Sequence, residues 1–206
     1  MSERVNPVRG GRVLDIGCGT GNLLEDISSK YPEAVYTGID VSPGMLAVAR
    51  RKLLKPKQHT NITLIEVELM DFLAAQPDDA FDVITSVNVL YTVGDQPALW
   101  AQLMRVLAPS GTIVVTTSVK TGSREIIQEH LAHAGYVSLV KRKLLSVFVI
   151  DALINLLGRT GHFAFADEAT LAAAISAAGG VMRAKERCYG GAISGVNIIF
   201  DVTHQA

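Results

Sequence analysis

Short continuous apolar runs alternate with longer runs of helically spaced apolar residues along most of the chain. The short runs predict strands, because buried parallel strands are continuous and rich in β-branched residues. Strands are predicted at residues 12–16, 34–39, 62–67, 81–86, 112–117, 181–188 and 196–203. Helices are predicted at residues 22–30, 43–55, 96–107 and 167–178, with a turn at 108–111. This alternation is typical of an α/β fold with a mostly parallel sheet.

The alternation stops between residues 120 and 165, where the pattern is helical and amphipathic and no strand is predicted. Insertions that follow the carboxyl end of a strand lie at the mouth of an α/β site, so this segment is predicted to be a helical substrate lid. Its most apolar run, 144–158, is too short to span a bilayer, which takes about 20 residues. A buried lid helix is favoured, while a dimer contact and a membrane-surface helix behind the basic run 141–143 stay open.

Composition narrows the class of protein. The chain has 206 residues, of which 49% are hydrophobic and 19% charged, enough for one domain over residues 1–206 with one sizeable core. Its net charge of −1 disfavours a nucleic-acid partner, since phosphate binding needs a basic surplus. Only Cys18 and Cys188 are present, far apart, and the first ten residues lack the apolar core of a secretory signal. We therefore expect a cytoplasmic protein without stable membrane insertion.

The stretch GRVLDIGCGTGN, residues 11–22, places three glycines directly after the first predicted strand. A glycine turn there usually receives a ligand that approaches the backbone and the helix N-terminus. A dinucleotide loop would have its third glycine where this chain has Asn22. Asp15, two positions before Gly17, would repel a pyrophosphate but suits a cationic amine. The pattern therefore favours S-adenosylmethionine, which has an ammonium and a sulfonium and carries no phosphate.

A second stretch, GIDVSPGML at residues 38–46, ends the second predicted strand. Asp40 lies at the strand tip, where one carboxylate can accept hydrogen bonds from both ribose hydroxyls. Asp40 could instead cap the next helix, but Ser42 precedes Pro43 and can act as that cap, which would leave Asp40 free. Met45 could pack on the adenine face.

Four motifs in order resemble the class I S-adenosylmethionine-dependent methyltransferases, in particular the group that methylates small molecules. They are VLDIGCGTG, GIDVSPGML, FDVITSVNVLYTV at 81–93 and RVLAPSG at 105–111, and the likeness extends over about residues 11–118 and less sharply over 167–203. The resemblance implies a Rossmann-like, doubly wound sheet of seven strands with the last strand antiparallel.

The resemblance also implies roles for individual residues. The methionine half would be lined by Asp15, Gly17, Cys18, Gly19 and Gly21, with Cys18 acting as a small filler of the loop. The ribose and adenine would be bound by Asp40, Val41, Met45, Glu68 and Leu69. Asp71 is the rival of Glu68 for the adenine amine. Ser86, Val87 and Asn88 would pass beside the ligand, and Tyr91 would either face the substrate or pack as a core aromatic.

Methyl transfer is an in-line displacement, so the protein mainly aligns the reacting atoms and excludes water. A hydroxyl or acidic-carbon acceptor also needs a base, and the candidates are His133, Tyr136, His162 and Glu168, with His162 preferred. Asn88 is not followed by the proline pair of nucleic-acid base methylases. We expect no metal site.

The predicted activity is methyl transfer from S-adenosylmethionine, with release of S-adenosylhomocysteine, to the oxygen, nitrogen or carbon of a small apolar or amphipathic metabolite. Two alternatives remain open: a protein that binds the cofactor without transfer, and a sulfonium-assisted cyclase. A nicotinamide-dependent reductase is disfavoured by Asp15 and Asn22. A homodimer stays open.

Overall fold

The computed structural model describes residues 1–54, 61–118, 168–188 and 197–205. The strands are β1 Arg12–Ile16, β2 Val35–Asp40, β3 Ile62–Glu66, β4 Phe81–Val87, β5 Leu107–Ser118, β6 Gly180–Cys188 and β7 Asn197–His204. The helices of the described residues are α1 Asn22–Lys30, α2 Pro43–Leu53, α3 Leu69–Ala74, α4 Gln96–Val106 and α5 Glu168–Ala177. A single 3-10 turn follows β4 at Leu90–Thr92.

The seven strands form one sheet in the order β3-β2-β1-β4-β5-β7-β6. β7 runs antiparallel to both of its neighbours, while the pairs among β1 to β5 are parallel. The predicted seven-stranded, Rossmann-like sheet with an antiparallel last strand is therefore confirmed. The chain proceeds outward in one direction from β1 and in the other from β4, so a crevice opens between the carboxyl ends of these two strands.

Both faces of the sheet are covered, which explains the continuous apolar strands. Leu14, Ile84 and Val115 belong to a core that includes α3, α4 and α5, with Trp100 and Phe200 among its largest members. Alternate residues of the same strands point to the opposite face of the sheet. They pack against α1 and α2 in a second core that includes Leu24 and Leu46. In the described part of the chain, no helix has the length and apolar character needed to cross a bilayer.

Helix capping follows the sequence closely at two helices. Ser42 accepts a 3.3 Å hydrogen bond from the Met45 N–H at the start of α2, and Asp95 accepts one of 3.0 Å from the Ala98 N–H at the start of α4. Each cap is followed by a proline in the first turn, where a missing N–H costs nothing. The predicted starts of these helices are therefore correct.

Two local features differ from the predictions. Helix α3 was not predicted, because its six residues are too few to show a helical period. The turn predicted at 108–111 occurs as a bulge within β5: between the pairs Phe81–Leu107 and Val83–Thr112, four residues of β5 oppose Asp82 alone. The predicted lid at 120–165 lies outside the described residues.

Candidate functional site

A cleft of about 440 Å³ lies at the carboxyl edge of the sheet, across the ends of β1, β2, β3 and β4. It occupies the crevice that the strand order creates, where open α/β sheets bind their ligands. Of the predicted site residues, the lining includes Gly17, Asp40, Val41, Glu68, Leu69 and Asn88. The rest of the lining was not predicted as site residues and comprises Ile16, Ile39, Val67, Val89, Thr92, Val93 and Gly94.

The glycine loop between β1 and α1 needs its glycines for two reasons. Gly17, Gly19 and Gly21 all have positive φ, of 64°, 54° and 74°, which disfavours residues with a side chain. A Cβ on Gly17 would lie 2.2 Å from Cγ2 of Val89, and one on Gly21 would lie 2.6 Å from Cδ1 of Leu53. Gly17 and Gly21 thus make room for neighbouring protein side chains, whereas the space at Gly19 is open.

Asp40, at the tip of β2, joins the glycine loop to the start of α2. Its Oδ2 accepts a 2.9 Å hydrogen bond from the Gly19 N–H, and its Oδ1 accepts one of 2.8 Å from the Ser42 N–H. The sequence argument that Ser42 caps α2 is correct, but its corollary that Asp40 is left free is wrong. Each carboxylate oxygen still has capacity for a further donor from a ligand in the cleft.

Asp15 is 2% exposed and lies beneath the glycine loop. The Thr85 hydroxyl donates a 2.7 Å hydrogen bond to its Oδ1 from the neighbouring strand. Burial raises the pKa of the Asp15 carboxyl to about 7; the Thr85 hydrogen bond opposes this rise and the Asp40 charge adds to it. A cation in the cleft would favour the ionised carboxylate, most simply through a bridging water, since Asp15 is not part of the cleft lining.

Cys18 is a buried filler of the glycine loop. Its Sγ lies against Gly38 of β2, where an added Cβ would approach it to 3.0 Å. Burial raises the pKa of the thiol to about 12, with the charges of Asp15 and Asp40 adding to the rise. The group therefore stays protonated and is a poor nucleophile.

Val41 and Met45 are apolar side chains left largely open to solvent beside Asp40. Val41 is 66% exposed and lines the cleft, and Met45 is 48% exposed on the first turn of α2.

Glu68 caps α3, because its Oε2 accepts hydrogen bonds of 2.6 Å from the Met70 N–H and 3.2 Å from the Asp71 N–H. Leu69 is buried at the start of that helix and lines the cleft.

The end of β4 passes below the cleft. Ser86 is fully buried, and its Oγ has no hydrogen-bond partner among the described residues. Ser86 and the half-buried Val87 lie outside the lining, which the chain joins at Asn88. Asn88 has a φ of 56°, and its N–H donates a 2.8 Å hydrogen bond to the Thr116 carbonyl of the neighbouring strand β5.

The catalytic candidates are less well placed. Tyr91 is half-buried in the 3-10 turn and is not part of the cleft lining, whereas its neighbour Thr92 is. The Thr92 hydroxyl donates a 2.8 Å hydrogen bond to the Val89 carbonyl. His162 lies outside the described residues. In the turn after β4, only Asn88 and Tyr91 were predicted to be site residues. The valines at 87, 89 and 93 were the available sign that this turn is apolar.

Comparison with known proteins gives a consistent result. Residues 13–111 match the family of the methyltransferase domain. The chain is 37% identical over 115 residues to trans-aconitate 2-methyltransferase of Methylobacterium nodulans, which covers 56% of this chain and 41% of that protein. It is 34% identical over 129 residues to ubiquinone biosynthesis O-methyltransferase of Pasteurella multocida, covering 59% of this chain and 52% of that protein. The chain thus spans about half the length of these curated relatives.

Solved structures agree on the fold. The cyclase SpnF superposes with a TM-score of 0.68 at 19% identity, covering all of this chain and 78% of that one. The methyltransferase CalO1 of calicheamicin biosynthesis, in a form with bound S-adenosylhomocysteine, gives a TM-score of 0.61 at 18% identity, covering 99% and 52%. At these identities the superpositions establish architecture, while the sequence match over the cleft-forming strands establishes ancestry. The sequence match over residues 13–111 and the seven-stranded fold are those of the class I S-adenosylmethionine-dependent methyltransferases.

Proposed function

We propose that the cleft binds S-adenosylmethionine and that the chain transfers its methyl group to a small apolar or amphipathic molecule. One observation carries the choice of ligand: among the described residues, the cleft lining has two carboxylates, Asp40 and Glu68, and no lysine, arginine or histidine. A third carboxyl, that of Asp15, lies beneath the glycine loop. Such a site repels a diphosphate and suits a nucleoside that carries positive charge.

The dimensions and chemistry of the cleft support this ligand. A volume of about 440 Å³ lies within the usual range for small-molecule sites. In the proposed arrangement Asp40 accepts from the ribose hydroxyls, Val41 and Met45 contact the adenine, and Glu68 accepts from its amine. The methionine half would follow the glycine loop toward Asn88, with its ammonium neutralised by Asp15 through water.

The methyl-transfer step asks little covalent chemistry of the protein. When bound, S-adenosylmethionine supplies an electrophilic methyl group on a sulfonium. The residues of the chain align the acceptor with that group and keep water away, and the apolar wall of Val89 and Val93 suits both tasks. For a hydroxyl acceptor a base would remove the proton, and His162 stays the proposed residue, with Tyr91 as an orienting group.

The acceptor class is inferred from the same wall and from the relatives. Both curated relatives carry names of small-molecule methyltransferases. We propose in addition that the protein is located in the cytoplasm. A homodimer is a separate prediction, which light scattering would test by measuring the mass of the protein in solution.

A transfer assay tests the function. The purified chain would be incubated with methyl-tritiated S-adenosylmethionine and a low-molecular-weight metabolite extract, with Asp40→Ala as the inactive control. We expect label in an extractable product with the wild-type chain only. Binding of the cofactor without transferred label would contradict methyl transfer and favour a binding protein or a sulfonium-assisted cyclase.

A further inference from the structure

We infer that Val89 is a positioning residue for the cofactor, a wedge that holds the glycine loop in its binding conformation. The inference rests on the proposed function, because it concerns the part of the cleft assigned to the methionine half. Val89 lies within the motif at 81–93, but no role was predicted for it from the sequence.

Val89 joins the two loops that flank the crevice. An added Cβ on Gly17 would lie 2.2 Å from Cγ2 of Val89 and 3.1 Å from both its Cβ and Cγ1. All three nearest atoms to that position therefore belong to one side chain. Gly17 follows β1 and Val89 follows β4, and both line the cleft. The valine thus rests directly on the peptide backbone that a ligand in the loop would contact.

Hydrogen bonds within the turn after β4, and packing against the core, fix the position of Val89. Asn88 fixes the entry to the turn with the hydrogen bond from its N–H to the Thr116 carbonyl. The Val89 carbonyl accepts from both the N–H and the hydroxyl of Thr92, each at 2.8 Å. The Gln96 side-chain amide donates to the carbonyls of Leu90 and Val93, both at 2.8 Å. The Val89 side chain also packs against the core on the α4 side of the sheet.

A β-branched side chain on such a turn has little rotameric freedom. Gly17, in contrast, is a residue with intrinsic backbone freedom at a φ of 64°. Contact with a stiff, anchored valine therefore limits the conformations of a loop that would otherwise be mobile. Pre-ordering of this kind raises affinity by lowering the cost of ordering on binding. The shape of residue 89 should therefore set the affinity for the methionine half, although Val89 makes no polar contact with it.

The test is calorimetric titration of the full chain with S-adenosylhomocysteine at 25 °C, for the wild type, Val89→Ala, Val89→Thr and Val181→Ala. Val181 is the matched control, since it is a half-buried valine on the edge strand β6 and does not line the cleft. We expect Val89→Ala to bind about tenfold more weakly. Val89→Thr, which keeps the branched shape, and Val181→Ala should stay within about threefold of the wild type.

A double-mutant cycle sharpens the result. Gly17→Ala should weaken binding through both backbone strain and collision with Val89. Adding Val89→Ala removes the 2.2 Å collision with Cγ2 and leaves only the Cβ of residue 89, at 3.1 Å. The double variant is therefore expected to bind about tenfold more tightly than Gly17→Ala alone. Losses that simply multiply would overturn the inference. Thermal melts monitor folding, and if the Gly17 variants do not fold, the valine series alone decides.

The outcomes separate the inference from the proposed function. If the wild type binds S-adenosylhomocysteine and Val89→Ala behaves like Val181→Ala, the wedge is contradicted and the function stands. Loss in Val89→Ala with recovery in Val89→Thr supports the wedge, because a general loss of fold stability would not be restored by shape at this one position. Absence of binding by the folded wild type overturns the proposed function and the inference with it.

Discussion

The Thr85 hydroxyl donates a 2.7 Å hydrogen bond to Oδ1 of Asp15, between side chains that are both buried at the floor of the crevice. The two residues are direct partners in the register of β1 and β4. Their pairing holds an ionisable carboxyl where the strand order opens the sheet. Since burial raises the pKa of Asp15 to about 7, this group changes charge near neutral pH.

Asp15 should make the stability of the ligand-free protein depend on pH. The pKa of Asp15 is about 7 in the folded protein and 3.8 for an ordinary aspartate, which stands for the unfolded chain. The folded protein therefore binds the proton more tightly than the unfolded chain does. The stabilisation is complete below about pH 4 and is lost as the pH rises to about 7, by up to a few kcal/mol at about 1.4 kcal/mol per pKa unit. Asp15→Asn keeps an acceptor for Thr85 and removes this slope. Urea denaturation at pH 5 and pH 8 measures both proteins, and parallel pH dependences would contradict the assignment.

Asp40→Ala should weaken the binding of S-adenosylmethionine by about fiftyfold or more, because charge-assisted hydrogen bonds to the ribose are lost. The substitution also frees the N–H groups of Gly19 and Ser42, which the carboxylate now holds. Glu66→Ala is the matched control, since Glu66 is the register partner of Asp40 on β3 but does not line the cleft. Calorimetry should show unchanged affinity for the control. Equal affinity in Asp40→Ala would remove this residue from the site.

Glu68→Ala should have two effects, because Glu68 caps α3 and lines the cleft. Loss of the cap is expected to lower the free energy of unfolding by about 1 kcal/mol. Affinity for S-adenosylhomocysteine should fall about tenfold through loss of the contact with the adenine amine. Asp71→Ala, at an exposed residue of the same helix, should change affinity by less than about twofold. The reverse order of the two affinities would assign the adenine contact to Asp71.

Arg105 should be a stability residue without a direct role in the cleft. Its guanidinium donates to the carbonyls of Leu73 at 2.7 Å and Gln76 at 2.9 Å, and so ties the end of α3 to α4. Arg105→Met is expected to cost about 2 kcal/mol in unfolding free energy, since charged donors to part-buried carbonyls are lost. Arg9→Met, which breaks the exposed pair of Arg9 with Glu33, should cost less than about 0.5 kcal/mol. Comparable losses in the two variants by denaturant titration would contradict this role.

Most of the fold was predictable because all elements except α3 carry their own signal in the sequence. Helices α1, α2 and α4 begin at the predicted residues, where a glycine turn, Ser42–Pro43 and Asp95 mark the starts. The strand pattern was equally clear, since the central stretches of β1, β4 and β5 are buried on both faces and consist mostly of apolar and β-branched residues. α3 was missed because a six-residue helix carries too little periodicity, and its cap, Glu68, had been assigned only to ligand binding.

A residue's position at the cleft could be predicted where its type and place in the chain leave one plausible role. Contacts between elements that are distant in the sequence could not be predicted. Asp40 lines the cleft, but its hydrogen bond to the Gly19 N–H joins residues 21 positions apart and has no signature in the sequence. Gly17 was read as room for a ligand, whereas the space beside it is filled by Val89 from a distant strand end. Such contacts depend on how β1 and β4 are placed side by side, which local patterns do not encode.

The most direct test of the account is equilibrium binding of S-adenosylhomocysteine to the purified wild-type chain, measured by calorimetry alongside NADH. Saturable binding of the adenosyl thioether at one site per chain, with no heat from NADH, is the predicted result. Binding of NADH, or no binding of S-adenosylhomocysteine to the folded protein, would contradict the claim that this acid-lined cleft accepts a phosphate-free, cationic nucleoside.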